Sequence, residues 1–197
     1  MTPELVLASA SAARKAVLAA AGIPHRAMDS GVDEARVKSR MVGENPAAIA
    51  RTLASAKAVA VSNSHPGSYV LGADQTLNCA GRLFDKPTSL AEAREQLVAL
   101  RGKTHRLETA AAIVCDGTEI WSCQRHATLV MRNFTDGFLD AYLADSGTGL
   151  ATSVGGYKIE STGMQLFSAV DGNHFVILGL PLVDLCAELR RLGILAS

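Results

Sequence analysis

Apolar and polar positions along this chain alternate between two rhythms. Short apolar runs at residues 5–8 (LVLA) and 69–74 (YVLGAD) read as buried strands, the second ending on a carboxylate. Helical spacing predicts helices over 12–21, 46–62, 88–102, 135–144 and 181–192, with Pro46 after Asn45 suited to a first helical turn and Glu92 to an N-terminal one. Residues 76–87 (TLNCAGRLFDKP) read as a hairpin turning at Ala80-Gly81. Two alternating runs, 105–114 and 119–131, flank Asp116-Gly117 and predict a long antiparallel hairpin. Short strands are expected at 164–169 and 173–177. Strands alternating with helices early, then hairpins, imply an α/β fold with a mixed sheet flanked by helices. No internal repeat is visible, and residues 1–197 are read as one domain.

Composition narrows the class. Hydrophobic residues make up 48% and charged ones 19%, with formal net charge +0, which fits a compact protein and lacks the basic footprint of a nucleic-acid polymer binder. No stretch is long and apolar enough to span a bilayer and no signal peptide is readable, so a cytoplasmic location is expected. Cys79, Cys115, Cys123 and Cys186 lack disulfide-framework or metal-site spacing and are expected as buried thiols.

The candidate chemistry lies where strands meet helices. Ser9, Ser11 and Arg14 sit at the start of the first helix, whose unpaired N–H groups attract anions, and arginine grips phosphate oxygens with two donors. Asp74 closes its strand, and Lys86 lies at the far end of the hairpin after it. Glu34 belongs to the acidic pair Asp33-Glu34, and Lys57 shares a rough helix face with Arg51, Ala54 and Ala58. Singly, each has a plain alternative: Ser11 as an N-cap, Asp74 as a turn cap, Lys57 as a solvated lysine. Together they supply the carboxylates and cations that metal-assisted phosphoanhydride hydrolysis needs. No nucleotide-binding glycine loop, nucleophile elbow or zinc-protease motif competes.

Seven motifs occur in order: L-A-S-x-S-x-x-R (7–14), V-D-E (32–34), L-A-x-x-K-A (53–58), G-A-D (72–74), K-P (86–87), R-G-x-T-H (101–105) and G-L-P-L (179–182). The chain resembles the Maf-like nucleoside triphosphate pyrophosphatases over almost its whole length. The resemblance implies a long curved mixed sheet with a cleft between two lobes, related to the inosine triphosphate pyrophosphatases, and a homodimer. It implies hydrolysis of a nucleoside triphosphate to monophosphate and diphosphate with a divalent cation, Mg²⁺ or Mn²⁺. Asp74 matches the family's proton acceptor, and Ser9, Ser11, Arg14, Lys57 and Lys86 match its phosphate-binding positions; Glu34, with Asp74, matches the metal site. Maf-like proteins are also associated with inhibition of septum formation, so a non-catalytic regulator is the alternative from another class.

Within the family, one branch takes dTTP and UTP and another 7-methyl-GTP; Gln75 and Glu160 resemble the second. Guanine presents two adjacent donors that a carboxylate accepts together, whereas uracil and thymine face Glu160 with acceptor oxygens. Ala13 departs from both branches, which carry arginine or tryptophan there, and offers no stacking surface. The expected activity is a house-cleaning pyrophosphatase favouring 7-methyl-GTP.

Overall fold

The structure, a computed structural model, describes residues 4–147, 150 and 153–196. Its strands β1 (Leu5–Ala8), β2 (Arg26–Met28), β3 (Tyr69–Cys79), β4 (Arg82–Phe84), β5 (Thr104–Cys115), β6 (Thr118–Met131) and β7 (Phe167–Asp171) form one mixed sheet in the order β2-β1-β3-β5-β6-β7, with β4 on β3. The helices are α1 (Ala12–Ala20), α2 (Glu34–Ser39), α3 (Pro46–Ser62), α4 (Leu90–Leu100), α5 (Asp136–Ser146), α6 (His174–Ile177) and α7 (Leu182–Arg191). The chain divides into two compact units, one made of the residues up to Gln75, Thr109–Arg125 and the residues from Asn173 onward, the other of Thr76–Glu108 and His126–Gly172.

In the first unit β1 runs parallel to both neighbours, Val6 opposite Arg26 and Leu5 opposite Tyr69. Alternation along β1 and β3 sorts side chains to two faces. Leu5, Leu7, Leu71 and Ala73 pack with Leu18 of α1 and with Leu182, Leu185 and Leu189 of α7. Val6, Ala8 and Val70 pack with Ala58 and Val61 of α3 on the other face. There α3 approaches so closely that a Cβ on Gly72 would lie 2.0 Å from the Ala54 carbonyl oxygen, so only glycine fits.

In the second unit β3 and β4 form the expected hairpin, with Leu77 opposite Phe84 and Ala80-Gly81 at positive φ (51° and 84°). The turn Asp116-Gly117 of the first unit has the same two-residue geometry, at 48° and 74°. Helix α4 begins as predicted: Ser89 Oγ accepts from Glu92 N at 3.1 Å, while Glu92 Oε2 accepts from Thr88 N at 2.7 Å. A buried aromatic group fills the space beside it. His105 Nε2 meets Tyr157 Oη at 2.8 Å, and the Tyr157 and Phe167 rings meet edge to face at 4.9 Å.

Three expectations change. Where a strand is expected at 173–177, residues 174–177 form helix α6, because Asn173 Oδ1 accepts from Phe175 N at 2.9 Å and caps it. Residues 164–166 belong to a 3₁₀ turn, Thr162–Leu166, and the strand starts only at Phe167. Among the four free cysteines only Cys79 is buried. Among the described residues, no helix is long and apolar enough to cross a membrane.

Burial lowers the pKa of His105 from 6.5 to about 4, and its Nδ1 has no hydrogen-bond partner. The folded protein therefore holds His105 neutral where the unfolded chain protonates it, and stability falls as pH falls from about 6.5 to 4. This contribution is on the order of 3 kcal/mol. Urea unfolding of His105→Leu across this range is expected to show a shallower pH dependence than the wild type; parallel curves would exclude the effect.

Candidate active site

The first cluster is built where β1 turns into α1. Ser11 caps the helix, its Oγ accepting from Arg14 N at 3.4 Å, and Ser11 N donates to Ser9 Oγ at 3.2 Å. No acidic residue occupies the first turn of α1, so its positive end is left to another anion. Arg14 folds back over this turn and is buried: Nη1 donates to Ser9 Oγ at 3.3 Å, and Nε donates to the Gly179 carbonyl at 2.9 Å. Burial lowers the guanidinium pKa, while the charges of Asp74 and Glu34 oppose that shift. Ser9, Ser11 and Arg14 thus come together as expected.

The second cluster centres on Lys57. Its Nζ lies 2.6 Å from Asp74 Oδ1 and 2.6 Å from Glu34 Oε1. Lys57 and Asp74 are both buried, so Lys57 is not a solvated helix lysine. Glu34 opens α2, whose N-cap is Asp33: the Asp33 carboxylate accepts from Arg36 N at 2.9 Å and serves the helix start. Arg51 does not share the face of Lys57; it pairs with Glu119 instead. Asp74 was expected at a strand end and instead sits inside β3, which continues to Cys79.

Two carboxylates converging on one cation are a fitting start for a divalent metal site. Among the described residues there is no group of three or more acidic, histidine or cysteine side chains that could hold a metal. Glu34 and Asp74 would therefore supply two oxygen ligands, with the remainder coming from phosphate and water, as is usual for Mg²⁺.

Gln75 follows Asp74 but, by alternation, faces the other side of the sheet, toward α6. Its Nε2 donates to Thr109 Oγ1 at 2.8 Å and to the carbonyls of Val176 at 2.9 Å and Ile177 at 3.2 Å. Ala13 is half-buried on α1. Lys86, beyond the end of β4, and Glu160, after the buried Tyr157 and Ile159, are exposed and belong to the second unit. The residue missed by sequence reasoning is Gly179: the G-L-P-L motif marked its position, but nothing in it foretold a carbonyl bound to Arg14.

A family model described as Maf-like protein matches residues 4–192. A nucleoside triphosphate pyrophosphatase of Paramagnetospirillum magneticum is 50% identical, the match covering 95% of this chain and 98% of that protein. A 7-methyl-GTP pyrophosphatase of Rhizobium johnstonii is 44% identical, over 98% of each chain. A nucleoside triphosphate pyrophosphatase of Caulobacter vibrioides is 47% identical, over 99% of this chain and 98% of that one.

Removing the ammonium would leave two carboxylates facing each other, one of them buried. Lys57→Met is therefore expected to lose roughly 3 kcal/mol of stability at neutral pH without added metal, measured by urea unfolding. Wild-type stability in that variant would show that the pair contributes nothing.

Proposed function

Because the chain belongs to the Maf-like protein family, we propose that it is a nucleoside triphosphate pyrophosphatase with a house-cleaning role, releasing diphosphate and a nucleoside monophosphate. The observation that carries this reading is the pairing of an anion cradle, Ser9, Ser11 and Arg14, with two carboxylates gathered on Lys57 in the same unit. The formal charges of Arg14 and Lys57 are cancelled by Glu34 and Asp74, so an incoming triphosphate needs further positive charge. A divalent cation on Glu34 and Asp74 would supply it, neutralising phosphate oxygens and favouring the hydroxide form of bound water. Mg²⁺ and Mn²⁺ both suit this oxygen set.

In this reading the helix start and Arg14 bind and orient the phosphates. Asp74 accepts the proton of the attacking water, and Lys57 holds that carboxylate charged and aimed. By its match to the family's phosphate-binding positions, Lys86 is a further phosphate-binding cation. For the base, Glu160 accepts from the donor edge of a guanine, which favours 7-methyl-GTP over dTTP and UTP. Gln75 contributes to the same choice through its carbonyl oxygen, since its nitrogen is engaged by the chain itself. Ala13 leaves the base without a stacking partner on α1.

Diphosphate release from 7-methyl-GTP, GTP, dTTP, UTP, CTP and ITP, with Mg²⁺, Mn²⁺ or chelator, tests this. Turnover is expected to need metal, to be led by 7-methyl-GTP, and to fall at least about a thousandfold in Asp74→Asn, whose amide is neither base nor anion. Near-normal turnover by folded Asp74→Asn would remove Asp74 from its role.

Glu160→Gln exchanges a pure acceptor for a group that also donates, and the ratio of 7-methyl-GTP to UTP turnover is expected to drop about tenfold. An unchanged ratio would overturn the reading of the base pocket while leaving the enzyme intact.

A further inference from the structure

Arg14 is only as well placed as the carbonyl that holds it. That carbonyl belongs to Gly179, whose φ of +94° lies in the left-handed region, and a Cβ there would come within 3.3 Å of Arg14 Nε. The Gly179 N–H donates at 3.0 Å to the Val176 carbonyl, which closes the turn after α6. The same Val176 carbonyl accepts from Gln75 Nε2 at 2.9 Å and from Thr109 Oγ1 at 2.9 Å. Gln75 Nε2 reaches the Ile177 carbonyl as well, at 3.2 Å, and Thr109 Oγ1 at 2.8 Å.

With only four residues, α6 has little rigidity of its own. Two sheet residues, Gln75 on β3 and Thr109 on β5, therefore fix its C-terminal carbonyls. We propose that Gln75 is a positioning residue for phosphate binding: with Thr109 it anchors the Val176 and Ile177 carbonyls, and so holds Gly179 where its own carbonyl aims Arg14. This deepens the proposed function and rests on it, since Arg14 is taken to grip the triphosphate. It is separate from any part Gln75 takes in choosing the base.

A ligand without a base separates the two roles. Binding of inorganic tripolyphosphate, measured by calorimetry with Mg²⁺ present, is expected to weaken about tenfold in Gln75→Leu and in Thr109→Val, each of which removes donors to the anchored carbonyls. In the Arg14→Ala background the same substitutions should have no further effect, because the group they position is gone. In the ligand-free protein, the Arg14 Nε–H resonance should exchange with solvent faster in both variants than in the wild type.

Wild-type tripolyphosphate affinity and unchanged Arg14 exchange in folded Gln75→Leu and Thr109→Val would overturn the inference and spare the proposed function. Full additivity with Arg14→Ala would also overturn it. A wild-type protein that neither binds tripolyphosphate nor releases diphosphate would remove the proposed function itself, and this inference with it.

Discussion

The site depends on one contact, the seating of α3 on β3. Gly72 lets the Ala54 carbonyl approach to a distance that any side chain would prevent. Lys57 lies three residues beyond Ala54 and Asp74 two residues beyond Gly72, so the periods of helix and strand carry both to the same side of the contact. The result is a buried lysine and a buried aspartate 2.6 Å apart. Isolated, either charge would be costly there; paired, each makes the other tolerable. Glu34 on α2 completes the group from a more exposed position, so the short helix α2 is tied to the core through the same ammonium.

A lysine between two carboxylates is also a statement about what is absent from the charge balance. The two cations Arg14 and Lys57 and the two anions Glu34 and Asp74 cancel one another, so these four groups alone leave no surplus charge for a triphosphate. The burial of Arg14 sharpens this, because its guanidinium is desolvated and is sustained in part by the very carboxylates that oppose an incoming anion. In the proposed function substrate and metal would therefore be linked, the metal supplying positive charge and the phosphates supplying oxygen ligands. A protein built only to bind nucleotide would have no use for two carboxylates near its phosphate cradle, since they weaken binding unless a metal or a proton transfer uses them.

Much of this was legible in the sequence, and what was not has physical causes. Both hairpin turns could be read because Ala80-Gly81 and Asp116-Gly117 must adopt positive φ, which few residue pairs tolerate. The serine and arginine cluster could be read because capping and anion binding draw on the same N–H groups. The setting of Asp74 differs from the sequence reading: an apolar run closing on a carboxylate reads as a strand end, yet Leu77 and Cys79 continue the buried alternation and β3 runs on. Residues 173–177 misled for the opposite reason, since a run of Phe, Val and Ile favours a strand by composition while a single capping hydrogen bond, from Phe175 N to Asn173 Oδ1, selects a helical turn. Lys57 could not be told from a solvated lysine, because no periodicity reveals that a helix lies one glycine's width from a strand.

What sequence reading loses most completely is the work of backbone atoms. The carbonyl of Gly179 has no side chain to announce it, yet it holds the arginine that the first motif supplies, across 165 positions of the chain. The two motifs are thus one device: an arginine at a helix start has many rotamers open to it, and a fixed acceptor reduces them to the one that covers the helix's unpaired donors. Glycine suits that position, because its φ of +94° strains any residue with a side chain and a Cβ there would lie 3.3 Å from Arg14 Nε. The glycine opening G-L-P-L then follows from the arginine closing L-A-S-x-S-x-x-R, and either motif without the other would leave the anion cradle unformed.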